Sequence, residues 1–307
     1  MDYQSILEEI AKEVTPLFID GKVADYIPAL ASVNKEQFAM SITLFDGTQY
    51  SVGRADTLFS IQSISKVFTF TLALKFYGSD MYKRIGHEPS GNPFNSLIQL
   101  EYENGKPRNP FINAGALNVS DVLVNYYKDD EKAYKEILNF IQAIADDETI
   151  GFNCEVAKSE MEHGFRNIAL ANLMKSFNNF DNDVNRVVDV YFRHCSIEMN
   201  TKMLSRAMLY LANHGKDPVS DKSYITPAQA KRINAIMLTC GHYDASGDFA
   251  YNVGLPGKSG VGGGIVAIVP KVMGISVWSP GLNAQGNSFV GTKALELFTD
   301  KTGLSIF

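Results

Sequence analysis

The chain has little cysteine, no long run of one charge and no long apolar run, and each shortage excludes something. Its three cysteines, Cys154, Cys195 and Cys240, lie far apart along 307 residues. An odd, widely spaced set does not make a disulfide framework. No C-x-x-C occurs, and neither His194-Cys195 nor Cys240-Gly241-His242 has the spacing of a zinc-ligand pair. Reduced thiols are therefore expected. No Lys/Arg run exceeds a pair, and 28 basic against 34 acidic residues leave a net charge of −6. Nucleic-acid binding rests on a basic footprint, which this chain lacks. No apolar stretch approaches the ~20 residues of a membrane span. Residues 1–14 are amphipathic and acid-rich, without the basic start and apolar centre of a secretory signal. A cytoplasmic location is expected. Internal repeats and Pro/Ser linkers are missing too, and 307 residues with 45% hydrophobic content suit one large domain or two ordinary ones.

The periodicity changes along the chain. Residues 1–14 read as a helix with Ile6, Ile10 and Val14 on one stripe. Residues 38–45 alternate, with Phe38, Met40, Ile42 and Leu44 facing one way. Asp46-Gly47 is a hairpin signal, with a return strand over 48–53. The middle is helical: Ala133, Ile137, Phe140, Ile141 and Ile144 have helix spacing, as do Met203, Leu204, Ala207, Met208 and Leu211. Thr226-Pro227 opens a helix to about Thr239. Two β-rich runs follow at 264–269 and 272–278, then a last helix at about 287–298. Strands, helices, strands and a helix do not alternate as a doubly wound sheet would. The expected fold is α+β. An antiparallel sheet joins the N- and C-terminal strands (a lobe of about 1–60 and 250–307), a helical lobe spans about 61–249, and the site lies in the cleft between them.

Gln62-Ser63-Ile64-Ser65-Lys66 precedes the very apolar run 67–77. A helix apolar nearly all round is a buried helix. Ser63 falls at its first turn, and Lys66, three residues on, shares its face. A lysine there opposes the helix macrodipole and loses hydration. Both effects lower its pKa towards the range of a general base. The amine could take the Ser63 proton, and backbone N–H groups at the helix start could hold an oxyanion. S-x-x-K alone is weak. Ser32-Val33-Asn34-Lys35 repeats it in a polar stretch. Ser63 could also be a helix cap and Lys66 a snorkelling lysine.

Lys258-Ser259-Gly260, followed by Val261 and three glycines, is the second element. Serine acyl-enzymes of the penicillin-binding class pair S-x-x-K with a K-T-G-like triplet on an edge strand. Here the triplet leads into a strand. Its ordinary explanation is a glycine loop needing positive φ. Lys301-Thr302-Gly303 matches the letters better but has no strand after it.

Further segments carry a resemblance. They are Tyr26-Ile27-Pro28, Gln62-Ser63-x-x-Lys66, Glu88-Pro89-Ser90-Gly91 and Asn109-Pro110-Phe111-Ile112-Asn113-Ala114-Gly115-Ala116. Ser159-Glu160, Arg166-Asn167, Tyr191-Phe192, Cys195-Ser196 and Cys240-Gly241-x-Tyr243-Asp244 follow, then Gly254-Leu255-Pro256-x-Lys258-Ser259-Gly260-Val261. In this order they resemble the serine-dependent glutaminases, which share the β-lactamase/transpeptidase-like fold. The resemblance implies one unit over 1–307 that hydrolyses the side-chain amide of L-glutamine to L-glutamate and ammonia, with no metal or organic cofactor. It implies Ser63 as nucleophile, Lys66 as base, Tyr243 as catalytic phenol and Val261 as an oxyanion donor with Ser63; whether Tyr243 or Tyr191 relays the proton stays open. Glu160 would take the substrate ammonium. Tyr26, Gln62, Asn113, Asn167 and Tyr191 complete the substrate set, and a homo-oligomer, tetramer or dimer, is implied. Without the resemblance, Asn113 and Asn167 read as turn or cap residues, Glu160 as a solvated charge, Tyr191 as core and Tyr243 as a surface turn. Ser176-Phe177-Asn178 has the letters of a third penicillin-binding motif but is not placed at the site. The five histidines read as bland. A β-lactamase or esterase, or a silent binding module on the same scaffold, stays open at this point.

Overall fold

The computed structural model describes residues 1–307 apart from Asn92 and Phe94. Among the described residues, eight strands form two sheets. They are β1 (Ala39–Leu44), β2 (Gln49–Gly53), β3 (Phe59–Ser60), β4 (Gly151–Phe152), β5 (Ile197–Met199), β6 (Gly257–Ser259), β7 (Gly264–Val269) and β8 (Met273–Trp278). The main sheet is antiparallel in the order β2-β1-β8-β7-β6. The early hairpin and the C-terminal strands thus share one sheet, as expected. β1 pairs directly with β8, Ile42 opposite Ile275. The hairpin turn closes on Gly47 at φ +86, a conformation that favours glycine.

Both faces of this sheet are covered. Met40, Ile42, Ile265, Ala267, Ile275 and Val277 pack under the helices Tyr3–Val14 and Phe289–Thr302, against Leu7, Ile10, Ala294 and Phe298. Successive strand side chains point to opposite faces, so Val266 and Ile268 enter the other core, which the middle helices share. On that face Ser41 and Thr43 hydrogen-bond Thr201 and Ser205 at 2.8 and 2.7 Å.

The last helix runs four residues beyond the expected end. Gly303, at φ +66, stops it with a left-handed cap. Lys301-Thr302-Gly303 is therefore a helix terminus. The 226–227 signal gives a complete capping box, with Thr226 and Gln229 bonded reciprocally, opening the helix Pro227–Cys240.

The second sheet, in the order β3-β5-β4, had no sequence signal. Strands of two or three residues are too short for alternation to show. It matters because it anchors the chain just before Ser63. Ile61 N–H donates to the Ile197 carbonyl at 2.9 Å, and Ser60 Oγ donates to the Cys195 carbonyl at 2.9 Å. The helix Ser65–Tyr77 follows, buried at every residue from Ser65 to Leu74.

Candidate active site

Ser63 lies one turn earlier in backbone terms than expected, in the tight 3₁₀ turn Gln62–Ile64 that leads into the Ser65–Tyr77 helix. Gln62 has φ +47, a strained setting for a non-glycine residue. Three bonds hold it there. Gln62 Nε2 donates to Ser60 Oγ at 3.1 Å, Ser65 Oγ donates to the Gln62 carbonyl at 2.7 Å, and Ile64 N–H closes on the Ile61 carbonyl at 3.0 Å.

The glycine-rich turn after β6 lies directly on this turn. A methyl group at Gly260 would stand 2.7 Å from the Ile61 carbonyl oxygen and 3.3 Å from the Ser63 nitrogen. One at Gly262 would stand 2.4 Å from the Ser60 carbonyl oxygen. Of Gly260, Gly262, Gly263 and Gly264, only Gly263 has positive φ. The run therefore serves close approach more than turn geometry. It brings Val261 to the cavity wall beside Ser63.

Lys66 is fully buried. Its Nζ donates to Asn113 Oδ1 at 2.7 Å and to the Phe111 carbonyl at 3.2 Å. Burial pulls its pKa down to about 8, opposed by the nearby Cys195 and Glu160. No carboxylate among the described residues pairs with it at salt-bridge distance. Asn113 Nδ2 donates in turn to Asn167 Oδ1 at 2.9 Å.

Tyr243 is buried rather than a surface turn residue. It sits at φ +57 in the short turn Tyr243–Ala245. Burial pushes its phenol up to about 12, while hydrogen bonds with the Ser63 and Ser259 side chains favour the ionised form. Ser259 Oγ donates to Asn287 Oδ1 at 2.5 Å. Lys258, also fully buried, lies against the Tyr243 ring with Nζ 4.5 Å from its centroid. Lys258 and Ser259 of the K-S-G triplet end the edge strand β6, and Gly260 lies just beyond it.

A cavity of about 460 Å³ opens above Ser63. Tyr26, Gln62, Ser63, Asn113, Glu160 and Asn167 line it, together with Tyr191 and Val261. Eight of the ten residues nominated from sequence thus meet at one cavity, and Lys66 and Tyr243 lie behind its wall. Glu160 Oε1 accepts from the Tyr26 hydroxyl at 2.7 Å. Burial raises the Glu160 carboxyl, while hydrogen bonds from Tyr26 and Gln62 and the charge of Lys66 oppose the rise. Tyr26 is 47% exposed and lines the cavity. Tyr191 is buried, its phenol raised well above the usual range by burial and by Cys195.

Sequence reasoning missed Asn95, His163, Arg166 and Cys195, which also line the cavity. Arg166 and Cys195 lie in two of the segments that carry the resemblance, Arg166-Asn167 and Cys195-Ser196, and that was the available signal; Asn95 and His163 had none. His194 behaves as the bland reading expects. It is buried between Ser65 Oγ (2.8 Å) and Ser120 Oγ (3.2 Å), and burial holds its pKa near 3. Ser176-Phe177-Asn178 does not line the cavity.

The sequence model of the glutaminase family matches residues 21–307. The chain belongs to the glutaminase family. A glutaminase of Aliarcobacter butzleri is 64% identical over 307 residues, covering all of both chains. A glutaminase of Rhizobium johnstonii is 54% identical over 306 residues, covering 100% of this chain and 99% of its own. Among solved structures, the probable glutaminase ybaS superimposes with a TM-score of 0.92 at 39% identity, over 99% of this chain and 98% of its own. A Bacillus glutaminase crystallised in 4.3 M NaCl superimposes with a TM-score of 0.92 at 32% identity over both whole chains. The glutaminase fold is β-lactamase-like, as the segment order implied. No helix among the described residues is long and apolar enough to cross a membrane.

Proposed function

We propose that this glutaminase-family chain hydrolyses L-glutamine to L-glutamate and ammonia through an acyl-enzyme on Ser63. The observation that carries the reading is the pairing of Ser63, open to the cavity and within reach of Tyr243, with Lys66 buried one helical turn away among neutral acceptors. A lysine poised at about 8 holds a usable neutral fraction near neutral pH.

Neutral Lys66 accepts the Ser63 proton as Oγ bonds to the side-chain amide carbon. The carbonyl oxygen becomes an oxyanion, met by the backbone N–H groups of Ser63 and Val261. Tyr243 gives its proton to the amide nitrogen and regains one from the Lys66 ammonium. The C–N bond breaks and ammonia leaves. The γ-glutamyl ester then takes up water, whose proton passes to Lys66. The ester bond breaks, the proton returns to Ser63, and glutamate is released.

Glu160, fixed by Tyr26 and Gln62, binds the substrate α-ammonium. Asn113, Asn167 and Tyr191 hold its polar groups. We read residues 1–307 as one catalytic unit with a sheet lobe of about 1–60 and 250–307 and a helical lobe of about 61–249. It works as a cytoplasmic homo-oligomer, dimer or tetramer, without metal or cofactor.

The test is ammonia release from L-glutamine and L-asparagine by wild type and Ser63→Ala. Glutamine turnover that falls by ~10⁴-fold or more in Ser63→Ala supports the reading. Wild type inert on glutamine sinks the substrate, and turnover surviving in Ser63→Ala sinks the nucleophile.

A further inference from the structure

Lys258 is a second fully buried lysine at the site, and the steps above give it no part. Its Nζ donates to the Gly241 carbonyl at 3.0 Å and to the Ser259 carbonyl at 2.5 Å. Its remaining side stands over the face of the Tyr243 ring, 4.5 Å from the centroid. No carboxylate among the described residues forms a salt bridge with it.

These neighbours favour the protonated form by geometry. An ammonium offers three donors and no acceptor, whereas a neutral amine offers two donors and a lone pair. All three directions from Nζ end on electron density: two carbonyl oxygens and the negative face of a phenol ring. A neutral amine would aim its lone pair at one of them. Burial and the Lys66 charge push Lys258 well below the usual lysine range, while Cys195 and Cys240 push the other way. The donor geometry opposes that fall, and the cation–π contact adds to the opposition. The titratable groups facing this cluster are Lys66, Cys195, Cys240, His242 and Tyr243.

The arrangement is built into the backbone. A methyl group at Gly241 would stand 1.8 Å from the Gly257 carbonyl oxygen. Only glycine lets the 241 peptide lie against β6, where its carbonyl accepts from both Lys258 Nζ and the Ser259 N–H.

We propose that Lys258 is a positioning residue whose ammonium, held on the face of the Tyr243 ring, stabilises the phenolate that Tyr243 becomes each time it gives its proton to the departing nitrogen. The inference rests on the reading of Tyr243 as proton relay. Lys258 keeps its own protons throughout. The proton leaving Tyr243 Oη goes to the amide nitrogen, and the one that restores it comes from Lys66 Nζ.

The experiment is a double-mutant cycle of Lys258→Met and Tyr243→Phe, with two substrates. One is glutamine, whose nitrogen must be protonated to leave. The other is a γ-glutamyl p-nitrophenyl ester, whose phenolate leaves without a proton. Lys258→Met is expected to lower kcat on glutamine by ~10²-fold, in the range of one lost proton-transfer partner. KM should stay within about threefold, and the ester should be spared. In the Tyr243→Phe background the same change should lower kcat less than about threefold, because coupled residues are not additive. The ratio of the two substrate rates does not depend on how much of a variant folds, so a poorly folding variant still gives a result. Thermal melting adds a second readout. Removing a buried, unpaired charge should leave Tm at or above wild type, whereas a merely structural lysine would lower it.

An equal loss on both substrates, or an equal loss in both Tyr243 backgrounds, overturns the inference. If Tyr243→Phe keeps full glutamine turnover, the relay reading fails and takes this inference with it. If Tyr243→Phe is crippled and Lys258→Met is not, only the inference about Lys258 fails.

Discussion

Ser32-Val33-Asn34-Lys35 and Ser63-Ile64-Ser65-Lys66 spell the same pattern in very different surroundings. Ser32 is exposed and ends the short helix Pro28–Ala31. Lys35 stays near the surface, where its Nζ reaches the Ile19 carbonyl at 3.1 Å and the Gly21 carbonyl at 3.4 Å. Ser63 faces a cavity, and Lys66 has lost all contact with solvent. The K-T-G letters divide the same way. Lys301 pairs with Glu9 at 3.1 Å and Glu13 at 2.9 Å, while Lys258 is sealed against a phenol ring. A lysine in water is a stable cation, and only removal from water makes its proton available. Burial, not spelling, separates a candidate catalytic pair from its copy.

The largest effect that would sharpen this comparison is on Lys66. Lys66→Met should abolish glutamine turnover, by ~10⁴-fold or more, while Lys35→Met leaves it unchanged. Comparable losses at the two positions would break the contrast. Lys66→Met should also melt higher than wild type. A pKa lowered from 10.5 to about 8 corresponds to roughly 3 kcal/mol of unfavourable charge burial. The sign follows from proton counting. Between pH 8 and 10.5 the unfolded chain holds the Lys66 proton more tightly, so wild-type stability rises with pH across that window. The advantage of Lys66→Met should therefore be full below pH 8 and shrink towards pH 10.5. Melting curves at pH 7 and pH 10 decide it.

A smaller effect concerns the wild-type rate. If neutral Lys66 is the base, kcat/KM for glutamine should climb about tenfold per pH unit below 8 and level off above it. A flat profile from pH 6 to 9 would assign the base elsewhere. Smaller still is the change at the far end of the cavity. Glu160→Gln removes the carboxylate that Tyr26 and Gln62 orient. KM should rise ~10- to 100-fold with a lesser change in kcat, as expected for a contact made to substrate in both ground and transition states. A loss confined to kcat would move Glu160 from binding to chemistry.

Much of the fold was legible. The hairpin at 46–47, the C-terminal strand pair and the capping box at Thr226 are local features, each set by residues a few positions apart. The expected stripe of Met40 and Ile42 faces the terminal helices. The β3-β5-β4 sheet was not legible, because its strands are too short to show a period. At the site, ten residues were nominated largely through segment order. Asn95, His163, Arg166 and Cys195 were not, because an isolated polar side chain on a helix or turn looks the same in sequence whether or not it faces a cavity. Tyr243 was nominated, but its burial was not legible. It follows from packing against Lys258, Ser259 and Ser63, which come from distant parts of the chain.

By itself, the sequence determined the longer strands of the main sheet and several helices with their amphipathic faces. It also determined, through the ordered segments from Tyr26 to Val261, the family. Tertiary structure alone decided which lysines lose their water and what replaces it. Lys66 ends on Asn113 and the Phe111 carbonyl, and Lys258 on two carbonyls and a phenol face. The reason is physical. Hydrogen bonding within elements and side-chain periodicity are local, but the desolvation of a charge depends on every atom that packs around it, and those atoms come from all along the chain.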